Sequence, residues 1–359
     1  MDFTLSAEQL LIKDSVTRFC AEYRRGGDAW PTFAQLGWLG IGAPEAVDGF
    51  GGPFESMILM EAFGRGRVVE PYVAQVVFAG TILREAGRLD LLRCLVAGEE
   101  RFTVAYEEPQ ARYDPSCVAT SATKDGEGYL IAGTKIRVLA ACSAGQAIVS
   151  ARHNDAVTLF AVPLDAPNVL RTAFAAEDEH DVAHLRFEGV RVAAHARIGP
   201  SGAGLALLER GLDHALGALC AEAVGLMGSM HEMTLEYIKL RTQFGVPIGS
   251  FQALQHRMAE VFMEVELARS MALRAAMTLA NEPAAHARAR AASAAKYQIA
   301  RSGRFVGQNA IQLHGAIGMT QEYKVGHYFK RMTAIERILG DADYHLARYG
   351  ALAALPEPA

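Results

Sequence analysis

Apolar side chains recur along this chain in two rhythms, and the switches between them mark out its regions. Residues 1 to about 95 read as helical. Leu5-Ser6-Ala7-Glu8-Gln9 is a start signal: Ser6 can cap the amides that follow, and Gln9 stands three residues on. Gln35-Leu36-Gly37-Trp38-Leu39-Gly40 then leads to Pro44-Glu45 and the glycine-rich Asp48-Gly49-Phe50-Gly51-Gly52-Pro53, and a further helix pattern covers 57–63. From about residue 96 the runs shorten and alternate. Strands are expected at 101–106, twice within 118–138 around Asp125-Gly126-Glu127-Gly128, at 147–150 and 157–162, and at 185–192. Tight turns without intervening helices predict an antiparallel barrel or sandwich. The charged run Glu177-Asp178-Glu179-His180-Asp181 reads as a solvated loop.

From Gly202 the helical rhythm returns almost to the end. Leu226, Met230, Met233, Tyr237 and Leu240 fall on one helix face, and Leu254, Met258, Val261 and Val265 on another. Gly245, Pro247 and Gly249 punctuate the turn between them, which predicts an antiparallel pair. A third long helix is expected over 284–313 and a short last one over 344–355. Helices in series imply a bundle. The fold class is therefore α+β, mostly α: an N-terminal helical domain (1–97), a middle β-domain (98–200) and a C-terminal four-helix bundle (201–359).

At 359 residues the chain exceeds one typical domain. Its net charge of −5 lacks the basic footprint of a nucleic-acid binder. Cys20, Cys94, Cys117, Cys142 and Cys220 are scattered without metal-ligand spacing, which predicts reduced thiols and a cytoplasmic location. The N-terminus does not read as a secretion signal, and no apolar run reaches membrane-spanning length. Two glycine-rich stretches imitate phosphate loops. Gly51-Gly52 has no lysine after it and no strand before it, and Gly199-Pro200-Ser201-Gly202-Ala203-Gly204 has no strand–helix–strand unit, so both are expected to be turns.

The chemistry centres on Arg241-Thr242-Gln243-Phe244-Gly245, running through Pro247, Gly249 and Phe251-Gln252. An arginine at such a helix–helix corner can grip a phosphate in bidentate fashion. Spacing alone equally allows a surface arginine beside a loop. This stretch resembles the acyl-CoA dehydrogenase family, and the resemblance covers essentially the whole chain. It is supported by Gly66-Arg67-Val68-Val69-Glu70-Pro71-Tyr72, Gln312-Leu313-His314-Gly315 and Gly340-Asp341-Ala342-Asp343. Within the family the nearest likeness is to the small subunit of pimeloyl-CoA dehydrogenase-type heteromeric enzymes.

The resemblance implies FAD shared across a subunit interface, an acyl-CoA substrate desaturated between its α and β carbons, and an electron-transfer flavoprotein as acceptor. It assigns Arg241, Phe244, Gln252, Gln312 and Gly315 to a neighbour's FAD. The flavin-ring side departs from the family's pattern. Where that pattern reads Thr-Glu-Pro-x-Ala-Gly-Ser-Asp, this chain reads Glu107-Glu108-Pro109-Gln110-Ala111-Arg112-Tyr113-Asp114, and Trp-Ile-Thr becomes Arg137-Val138-Leu139. The catalytic glutamate is also missing. One register falls on Leu339, the other near Asp213-His214-Ala215, and the CoA-binding arginine aligns with Leu216. Asp341 and Asp213 are candidates for a displaced base, and each is equally read as a helix cap or a solvent-facing carboxylate. The expectation is a heteromeric enzyme in which this chain donates a half-site and a homologous subunit carries the ring site and base. Two rivals stand beside it: a self-sufficient homotetramer with an Asp base, and a non-enzymatic scaffold on the same fold.

Overall fold

A computed structural model describes residues 4–353. Helices α1 (Ala7–Glu22), α2 (Trp30–Gln35), α3 (Pro53–Gly66), α4 (Gly80–Glu85) and α5 (Leu89–Val96) come first. Strands β1 (Phe102–Ala105), β2 (Ser121–Asp125), β3 (Gly128–Leu139), β4 (Gln146–His153), β5 (Ala156–Pro163), β6 (Val169–Ala175), β7 (Asp181–Val192) and β8 (Arg197–Ile198) follow. Then come α6 (Gly204–Leu240), the short strands β9 (Thr242–Gln243) and β10 (Val246–Pro247), α7 (Gln252–Asn281), α8 (Ala285–His314), α9 (Lys324–Arg337) and α10 (Ala342–Ala353). The last two expected helical residues, 354 and 355, lie outside the described residues. The chain packs as two compact units that interleave along the sequence: residues 1–25, 53–68 and 216–359 in one, 26–52 and 69–215 in the other.

In the helical unit, α1 starts where its sequence says. The Ser6 hydroxyl accepts from the Gln9 amide at 3.2 Å, and the Gln9 side chain accepts from the Ser6 amide at 3.1 Å. On α6 the buried line runs Leu226, Met230, Thr234, Ile238, whereas Leu240 is 82% exposed. Each step of four advances about 40° around the helix, so the buried line turns away from the expected stripe through Met233, Tyr237 and Leu240. Met258, Val261 and Val265 of α7 are buried as their spacing predicts. Glu222 of α6 and Arg331 of α9 form a buried bidentate pair, at 2.6 and 2.8 Å.

The other unit is built on one sheet, ordered β6-β7-β3-β2-β4-β5-β8, with β1 also on β4. Its core includes Ile131, Val149, Phe160, Val162, Leu185 and Phe187. Most pairings are antiparallel, but β1 runs parallel to β4. The β2–β3 hairpin stands between them in sequence, long enough to return the chain in the same direction. β6 escaped the hydrophobic pattern because it is an edge strand with nearly every residue exposed. The run 177–181 is a loop leading into β7 with Glu177 and Glu179 exposed, but its aspartates are not solvated as expected. Asp178 is 7% exposed, 3.3 Å from His180, and Asp181 accepts the Cys142 and Ser143 amides at 2.9 and 2.7 Å. Asp181 thus satisfies the backbone of the turn after β3. Among the described residues no helix is long and apolar enough to cross a membrane, and no acidic, His or Cys cluster could hold a metal.

Candidate functional site

The helical corner is made by a tight hairpin. β9 and β10 pair across Phe244-Gly245, whose φ values of +55° and +80° are both positive, as a type I′ turn requires. Glycine takes that conformation freely, whereas phenylalanine seldom does. The turn holds Phe244 outward, 92% exposed, with Phe251 edge-on at 6.2 Å. Arg241 and Gln252 are exposed beside it, and among the described residues no carboxylate of this chain pairs with Arg241.

One turn before Arg241, Tyr237 stacks on His314 at 4.5 Å, and the Tyr323 hydroxyl lies 3.1 Å from His314 Nε2. Burial lowers the His314 pKa below the usual imidazole range. This stack joins the end of α6 to the end of α8. There Gln312 is exposed, and Gly315, at φ +62°, donates its amide to the last carbonyls of the helix. Two motifs far apart in sequence thus meet. The aromatic residues that join them were not among the expected site residues, although His314 lies inside the Gln312–Gly315 run.

The strand leading from β1 carries adjacent acids with different partners. Glu108 is buried and receives the Lys135 ammonium at 2.6 Å and the Ala119 and Thr120 amides at 2.8 and 3.1 Å. Burial alone would raise its pKa, but Lys135 and these donors carry it down to about 2. Glu107, also buried, faces Arg137, whose Nε and Nη2 reach its Oε2 at 2.9 and 2.5 Å. Its Oε1 accepts from the Tyr106 hydroxyl at 3.1 Å. Burial raises the Glu107 carboxyl, and Arg137 pulls it back. The Arg137 guanidinium also lies 5.2 Å over the ring of Tyr113.

Asp341 accepts the Tyr344 amide at 2.9 Å, capping the start of α10. Asp213 is 2% exposed on α6. Leu339, where one register for the base falls, is 5% exposed at φ +58°. The turn around it is tied inward. Lys296, fully buried, donates to the Gly340 and Glu336 carbonyls at 2.5 and 3.2 Å, and His345 Nε2 lies 2.9 Å from the Leu339 carbonyl. Burial brings Lys296 down to about 8.

The chain's likenesses run along its whole length. Residues 6–89, 103–190 and 202–351 match the N-terminal, middle and C-terminal domains described for acyl-CoA dehydrogenases. The chain is 30% identical over 351 residues to the acyl-CoA dehydrogenase FadE12 of Mycobacterium tuberculosis, covering 90% of each. It is similar to the Tcur3481–Tcur3483 steroid ACAD at 30% identity and a TM-score of 0.87, over 98% of this chain and 99% of that one. The ChsE4–ChsE5 complex from Mycobacterium tuberculosis matches at 27% identity with the same TM-score, over 99% and 100%.

Proposed function

The chain belongs to the acyl-CoA dehydrogenase family, and from that premise we propose that it is the half-site chain of a heteromeric enzyme. Enzymes of this family are FAD-dependent oxidoreductases acting on the CH–CH bond of acyl-CoA thioesters. When bound, FAD supplies the hydride acceptor. In this reading Arg241, Phe244 and Gln252, with Gln312 and Gly315, hold the diphosphate and adenosine end of an FAD whose ring lies in a homologous partner subunit. That partner supplies the base, so neither Asp213 nor Asp341 is needed for it.

The observation that carries this reading is the outward-facing corner. An uncommitted Arg241 and an almost fully exposed phenylalanine on a strained turn are what a chain would present to a cofactor outside itself. The steroid ACAD and ChsE4–ChsE5 likenesses support a heteromer, and the former supports a bulky acyl group as substrate. From the pimeloyl-type likeness the reading keeps only its coarser content, a heteromeric chain. An electron-transfer flavoprotein is the acceptor, and the setting is cytoplasmic.

The test is to express the chain alone and with its neighbouring dehydrogenase subunit, then measure FAD per chain by absorbance. About one FAD per two chains is expected, and only in the complex. Arg241→Ala should weaken FAD retention about 10- to 100-fold in that complex, the loss of a charge-assisted contact. One FAD per chain in the lone protein would overturn the reading and direct mutagenesis to Asp213 and Asp341. No FAD in either preparation would leave the scaffold.

A further inference from the structure

We infer that Glu107, Arg137 and Tyr113 form a plug, filling with this chain's own side chains the place where the family's pattern seats the flavin ring. The inference rests on the half-site reading and explains how the β-domain of this chain can stand without a cofactor. Among the departures from the family's flavin-site pattern are those at 107, 113 and 137. Two lie on the segment after β1 and the third on β3, and in the structure they form one group. Arg137 pairs with Glu107 through two nitrogens and lies over the Tyr113 ring. Unrelated losses at a disused site would have no reason to complement one another in charge and shape.

The backbone is adapted to the same end. The β3–β7 register shifts between Lys135 and Val138, so a bulge holds Arg137, at φ +50°. Bulges re-aim side chains, and this one turns the guanidinium onto Glu107. It is pinned on both sides: the Ile136 amide donates to the Glu107 carbonyl at 2.9 Å, and the Arg137 amide to His184 Nδ1 at 3.1 Å. Tyr113 also has positive φ, at +71°. Glu107 and Tyr113 are 9% and 7% exposed, and the Arg137 side chain, 44% exposed, closes the group on its outer side. Beneath it the Glu108–Lys135 pair fixes the same strand. A ring-binding site would need an uncharged hydrogen-bonding group and a flat apolar cover. Here the same positions hold an ion pair already satisfied, and a flavin ring would have to displace it. The residues present do not fit the ring.

The plug can be opened. In the complex with the partner subunit, Glu107→Thr, Tyr113→Ser and Arg137→Trp together open the plug by restoring the family's residues at these three positions. FAD should then rise from about one to about two per two chains. A triple variant that still assembles but keeps the wild-type ratio would overturn the plug while leaving the half-site reading intact. Riboflavin, which has the ring but neither diphosphate nor adenosine, tests the plug without the corner. The lone wild-type chain should not quench riboflavin fluorescence, whereas Glu107→Ala with Arg137→Ala should bind it at least about tenfold more tightly. Riboflavin bound equally by both would overturn the inference even if the triple variant failed to fold. Failure of the half-site reading would appear separately, as FAD retention indifferent to Arg241→Ala.

Discussion

His345 shows how a single side chain can set the response of the helical unit to acid. It is fully buried, with its ring nitrogens 2.9 Å from the Leu339 carbonyl and 3.4 Å from the Ser293 hydroxyl. Burial, reinforced by the Lys296 and Arg348 cations and only partly offset by the Leu339 carbonyl and Asp341, brings its pKa down to about 3. An unfolded histidine titrates near 6.5, so between these values the folded chain binds fewer protons than the unfolded one. Stability is then full above about pH 6.5 and is lost as pH falls toward 3. Urea unfolding at a series of pH values should show wild type losing up to about 1.4 kcal/mol per pH unit across the lower part of that window. His345→Gln should flatten the slope, and parallel profiles would refute the assignment. At this scale the sequence was legible for caps and turns, such as Ser6 with Gln9, because those interactions are local. It did not reveal that Asp181 turns inward, because its partners, the Cys142 and Ser143 amides, come from the remote turn after β3.

Among the elements, α3 and α6 approach backbone to backbone. A Cβ on Gly64 would lie 2.0 Å from the Glu222 carbonyl oxygen, and one on Gly225 would lie 2.0 Å from that of Glu61. No side-chain rearrangement relieves a contact with a carbonyl. Gly225→Ala should therefore cost about 1–3 kcal/mol or more in urea denaturation. Gly350→Ala on α10, where nothing lies within 4 Å, should be neutral or stabilising by up to about 1 kcal/mol. Equal effects at the two positions would refute the close approach. The long helices were readable because a period of three to four sustained over thirty residues leaves little else possible. β6 was not, because an edge strand has no buried face to impose alternation. The corner was legible as a motif, but its I′ geometry and the Tyr237–His314 stack depend on packing between elements that no local pattern encodes.

For the whole molecule, sequence order and compact packing differ. The three-region order of helices, strands and helices was legible, and the family matches follow it. That α1 and α3 belong with residues beyond 215 was not, because their partners lie some 150 positions downstream. A chain ending at residue 215 should consequently leave α1 and α3 open to protease while the sheet unit resists digestion. Equal resistance of both regions by limited proteolysis and mass spectrometry would contradict the division. The interleaving also bears on how the protein is made. On the ribosome α1 and α3 emerge well before α6 and α7, so the apolar face of α3, with Ile58, Leu59, Met60 and Phe63, must wait through the synthesis of the entire sheet. Nascent chains should be most dependent on chaperones in that interval, and a pause placed after residue 215 would lengthen it.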